Sequence, residues 1–88
     1  MNQKKIGLLL KELRKEKNLT QEQLAEHFNI SSRSVSRWET GTNLPDLSIL
    51  VELADFYDID IREIIDGERK NEMNNETKET LNKVAEYA

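Results

Sequence analysis

Eighty-eight residues without a cysteine, 36% hydrophobic and 34% charged, describe one small domain, or a domain with a tail. Such a chain has no disulfide framework and fits a reducing cytoplasm, and its modest core leaves little room for an enzyme cleft. The formal charge of −4 is unevenly spread: residues 1–45 carry eight Lys/Arg against five Asp/Glu, and residues 46–88 carry five against twelve. One half therefore suits a polyanion and the other repels it.

The N-terminal stretch MNQKKIGLLLKELRKEK breaks its apolar runs with charge, so it is neither a signal peptide nor a membrane span. Ile6, Leu9, Leu10 and Leu13 recur at helical spacing and predict a first helix over Gln3–Lys17, ended by Asn18. Thr20 and Gln23 fit a capping box opening a second helix, with Leu24, Ala25 and Phe28 as its buried stripe. Asn29 takes the left-handed conformation that a tight stop needs. Ser31 caps a third helix that runs to Thr40 and has only Val35 and Trp38 as apolar residues; Gly41 ends it.

After the loop Thr42–Leu44, Pro45 is expected as a first-turn residue of a fourth helix, from about Asp46 to Tyr57. That helix is apolar beyond one stripe. Leu50, Leu53, Ala54 and Tyr57 form the inward set, and Ile49 with Phe56 the expected surplus face for a partner. Asp60 caps a fifth helix, with Glu63 in the capping-box position and Gly67 as its stop. Residues 68–88 are polar at first and then weakly amphipathic, and read as a helical tail or the start of a further region. The fold class is all-α: five helices with a C-terminal helical tail, divided as residues 1–67 and 68–88.

The second and third helices, joined by about three residues, have the pattern of a helix-turn-helix. An exposed helix bearing Ser, Arg, Ser and Arg suits a DNA major groove, since arginine holds guanine bidentately and serine pairs with either edge type. His27 has no second His and no Cys, so no metal site is expected and it reads as a plain surface or helix-end residue. No nucleophile, base and orienting group can be assembled, so neither catalysis nor a cofactor is expected.

The stretch LTQEQLAEHFNISSRSVSRWETGTNLPDL resembles the lambda-repressor/Cro-like helix-turn-helix of the XRE family of transcriptional regulators. The matches are LTQ at Leu19–Gln21, LA at Leu24–Ala25, Ile30, Ser31, WE at Trp38–Glu39, Gly41 and PDL at Pro45–Leu47, with LR at Leu13–Arg14 before them. The likeness extends over residues 4–67, and Asn29 stands where many members have glycine. It implies a recognition helix at Ser31–Thr40 with Ser32, Arg33, Ser36 and Arg37 at base edges. It implies phosphate contacts from Gln21, Ser31, Thr42 and Asn43. Arg14 and Glu39 would form a partly buried pair, with Trp38 as the anchor of the recognition helix. The implied partner is double-stranded DNA with a pseudo-palindromic operator, bound by a homodimer, with no membrane contact from this segment. An antitoxin-like or other protein-binding module on the same fold is the alternative.

Overall fold

The computed structural model describes residues 1–69, and these form five helices: α1 Gln3–Glu16, α2 Gln21–Phe28, α3 Ser32–Thr40, α4 Leu47–Tyr57 and α5 Ile61–Asp66. No strand occurs among the described residues. The expected tail lies, beyond Arg69, outside them.

Each helix begins at a side-chain oxygen that takes up a free N–H of the first turn. Asn2 Oδ1 accepts from the Lys5 N–H at 3.0 Å, and Thr20 and Gln23 complete the reciprocal box at 2.9 and 3.0 Å. Asp46 accepts from Ile49 and Asp60 from Arg62. Asp46 is thus the cap of α4, with extended backbone (φ −72°, ψ 171°). This corrects the expected place of Pro45: the ring lies before the cap, buried and outside the helix, because Asp46 needs an extended conformation to turn its carboxylate back on Ile49. The stops lie in the left-handed region, with φ of 59° at Asn18, 59° at Asn29, 58° at Asp58, 81° at Gly41 and 71° at Gly67.

The core unites Ile6, Leu9, Leu10 and Leu13 of α1 with Leu24 and Ala25 of α2 and Val35 and Trp38 of α3. Leu50, Leu53, Ala54 and Tyr57 of α4 and Ile64 of α5 complete it. α1 is the central element, packed against α3 and α5, while α2 packs on α3 and α4 on α5. Where α1 crosses α3 the backbones nearly touch: a Cβ built at Gly7 would lie 2.4 Å from the Trp38 carbonyl oxygen. Gly7 is therefore the residue that lets α3 seat on α1. Arg69 closes the far end by pairing with Glu16 at 2.9 Å, and Lys5 pairs with Glu68.

Ile49 and Phe56 do not form a free face. Both are half-buried and packed against the core, whereas Leu47 and Val51 are exposed at 67% and 51%. For Phe56 the reason is an aromatic cluster: it lies 5.6 Å from Phe28, 5.1 Å from Tyr57 and 4.6 Å from His27, with Lys17 over its ring. His27 is exposed in the last turn of α2, the surface and helix-end place expected of it, and it also touches this cluster. Its imidazole covers Phe56 and meets Phe28 edge-on at 5.0 Å, fastening α2 to α4.

Among the described residues no helix is long and apolar enough to cross a membrane. No three His, Cys, Asp or Glu side chains among them come together as a metal ion would need.

Candidate nucleic-acid interface

α3 buries one edge and leaves the other free. Val35, Trp38 and Glu39 are buried, and by the 3.6-residue repeat Arg33 and Arg37 lie on the opposite side, with Ser36 and Ser32 on its flank and Ser32 nearest the buried edge. The two arginines are exposed and the two serines half-exposed. Neither arginine makes an ion pair among the described residues. Thr40 shares this arc, a hydroxyl that the sequence pattern did not single out; it donates to the Arg37 carbonyl at 3.2 Å and meets the Thr42 hydroxyl at 2.9 Å.

The two ends of α3 differ. At its start Ser31 accepts from the Ser34 N–H at 3.2 Å, and the two serine hydroxyls meet at 3.2 Å, so much of the capacity of Ser31 is spent on capping. At its end the Thr42 and Asn43 N–H groups donate to the Arg37 carbonyl at 2.9 and 3.2 Å, which folds the loop beneath the helix and leaves both residues exposed. The stem of Lys4 on α1 passes beside Gly41 at the start of this loop.

A hollow between α2 and α3 is lined by Gln21, Ser31, Ser32, Arg33 and Ser36. Gln21 is the first residue of α2, where backbone N–H groups have no intrahelical acceptor and the helix dipole favours an anion. The hollow thus brings together the N-terminus of α2 and the polar side of α3. Thr42 and Asn43 stand apart from it, at the opposite end of α3.

Behind the hollow is a buried ion pair. Arg14 Nε donates to Glu39 Oε2 at 2.6 Å and Nη2 to Oε1 at 2.9 Å, a bidentate contact, while Nη1 donates to the Leu19 carbonyl at 2.7 Å. The hydrogen bond to Glu39 holds the Arg14 guanidinium above even its usual high pKa. One further bond has no local sequence signal: Gln21 Nε2 donates to Glu39 Oε1 at 3.0 Å, across 18 residues. Tyr57 lies below. Burial, reinforced by the charge of Glu39 and opposed by that of Arg14, pushes its pKa up to about 12, and its hydroxyl has no hydrogen-bond partner among the described residues.

Five helices on one small core, with the third mounted by a narrow edge and its polar side turned out, define a helix-turn-helix domain. Residues 10–64 match the model of the family described as helix-turn-helix, and the chain belongs to that family, in its lambda-repressor/Cro-like, XRE-type form. The chain is 37% identical over 79 residues to the HTH-type transcriptional activator BcrR of Enterococcus faecalis, a match that takes in 89% of this chain and 39% of that protein. It is 40% identical over 60 residues to the cryptic phage CTXphi transcriptional repressor RstR of Vibrio cholerae, covering 68% of this chain and 54% of the repressor. Against the regulator YqaE of Bacillus subtilis it is 30% identical over 74 residues, 83% of this chain and 64% of that protein. The chain thus spans less than two thirds of the length of the curated relatives it matches.

Proposed function

We propose that this chain is the DNA-reading part of a transcriptional regulator acting in the cytoplasm. α3 enters the major groove with Ser32, Arg33, Ser36 and Arg37 at base edges. Gln21, Ser31, Thr42 and Asn43 hold the phosphates on either side. Two copies bind a pseudo-palindromic operator, their α3 helices about 34 Å apart, one turn of the duplex. The observation that carries the reading is the division of α3: three buried residues on one side, and on the other two exposed arginines with no carboxylate partner among the described residues. Arginines without a carboxylate partner among the described residues, Arg33 of them beside the N-terminus of α2, attract a polyanion, and the acidic residues that follow Pro45 discourage binding in any other orientation. The named relatives include both an activator and a repressor, so this domain is compatible with either direction of control.

The test is selection of bound duplexes from a random pool, followed by titration of the enriched site. Arg33→Ala and Arg37→Ala are each expected to cost about 1–3 kcal/mol and to relax base preference locally. Gln21→Ala weakens all sequences alike, because a phosphate carries no base information. Failure to enrich any duplex at low salt defeats the reading.

A further inference from the structure

The Arg14–Glu39 pair has a third member, and that member faces outward. Glu39 Oε1 accepts both from Arg14 Nη2 at 2.9 Å and from Gln21 Nε2 at 3.0 Å. The Glu39 side chain is only 3% exposed and that of Arg14 9%, while Gln21 lines the hollow with Ser31, Ser32, Arg33 and Ser36. Arg14 also holds the Leu19 carbonyl at 2.7 Å, two residues before Gln21, and its own carbonyl accepts from the Leu19 N–H at 3.2 Å. The chain entering α2 is thus tied to α1 from both sides, and Gln21 is tied to α3 through Glu39.

A carboxylate only accepts hydrogen bonds, so Glu39 dictates which way the Gln21 amide turns. The nitrogen faces Glu39 and spends one N–H there. The second N–H and the carbonyl oxygen remain for a ligand in the hollow. A long side chain that would otherwise sample many rotamers is held in one before any ligand arrives, and less of its freedom is left to lose on binding.

We propose that Glu39 is a positioning residue for DNA binding: held by Arg14, it orients the Gln21 amide toward the phosphate backbone and so joins the seating of α3 to the grip of α2. The proposal rests on the reading of Gln21 as a phosphate contact, and goes beyond it by naming what prepares that contact.

The experiment measures what Gln21 contributes in two backgrounds. One is the native chain. The other is Arg14→Met/Glu39→Leu, in which both charges are replaced together by apolar groups of similar volume, a change that buried pairs often tolerate. Affinity is titrated on a duplex enriched from the random pool. In the native background Gln21→Ala is expected to weaken binding about tenfold, the worth of one hydrogen bond to a charged group. In the second background the same substitution is expected to cost less than about threefold, because Gln21 has lost its seat. An equal loss in both backgrounds overturns the positioning role while leaving the phosphate contact standing. No loss in the native chain defeats the phosphate reading itself, and the positioning role with it. A measurement on the native chain alone covers the case in which the double variant fails to fold. The Gln21 side-chain nitrogen is expected to relax as an ordered group in the free protein, unlike that of exposed Gln3; equal mobility of the two overturns the proposal.

Discussion

Gly7→Ala separates two physical expectations of opposite sign. Gly7 lies inside α1, where replacing glycine by alanine ordinarily stabilises a helix by about 1 kcal/mol. Here the new Cβ would stand 2.4 Å from the Trp38 carbonyl oxygen and 2.8 Å from that of Glu39, against a practical floor of 3.0 Å. Both obstacles are backbone atoms of α3, so no side chain can swing aside, and α1 must lift from α3. Overpacking of this kind costs about 1–3 kcal/mol, and the rigidity of the obstacle puts Gly7→Ala at or above the upper end. Subtracting the helix-propensity gain leaves a net loss of about 2 kcal/mol, which in a domain of this size lowers Tm by about 8–16 °C. Thermal unfolding followed by circular dichroism reads it directly. An unchanged or raised Tm would show that the two backbones are not in close contact, and the account of how α3 is mounted would fail.

Trp38→Ala is expected to lose about 3–5 kcal/mol of stability, since a large buried side chain leaves a cavity; a stable variant that had lost only DNA affinity would make Trp38 a contact residue. Arg14→Ala or Glu39→Ala alone is expected to cost about 3–5 kcal/mol by stranding the other charge, and the two together less than their sum in a denaturant double-mutant cycle. Tyr57 titrates near 12 in the folded chain and near its ordinary value of about 10 when unfolded. Between those pH values the unfolded chain binds fewer protons, so stability falls as pH rises. Tyr57→Phe is expected to flatten that part of the alkaline unfolding profile, and a superimposable profile would show that the Tyr57 hydroxyl titrates normally.

The helices were legible because their boundaries are local chemistry. Thr20 with Gln23, Asn29, Gly41 and Asp60 act on groups within a turn of themselves, and a linear reading finds them. Pro45 shows the edge of that legibility: two neighbouring residues both suit a helix start, and the reach of Asp46 back to Ile49 decided between them. The outward side of α3 was legible for a different reason. With so few apolar residues on that helix, the buried edge had one place to be. Apart from the Arg14–Glu39 pair, which the family resemblance supplied, contacts between distant residues left no such trace. Gly7 reads as a plain helix glycine until Trp38 is placed over it, and Phe56 reads as surplus until His27 and Phe28 arrive from α2. The Gln21–Glu39 bond likewise needs the turn between α2 and α3 to bring 18 residues together.

The two sides of α3 have an engineering consequence. What holds the helix in place is Val35, Trp38, Glu39 and the bare backbone opposite Gly7; none of the outward side chains takes part in that anchorage. Exposed positions of this sort usually tolerate exchange within about 0.5 kcal/mol. Arg33 and Arg37 can therefore be swapped as a cassette at little cost to folding, and so can Ser32 and Ser36 where the new side chains fit their half-exposed places. On the reading proposed above, retargeting this domain to a new ligand sequence is then a problem of choosing letters on one surface, separable from keeping the protein intact.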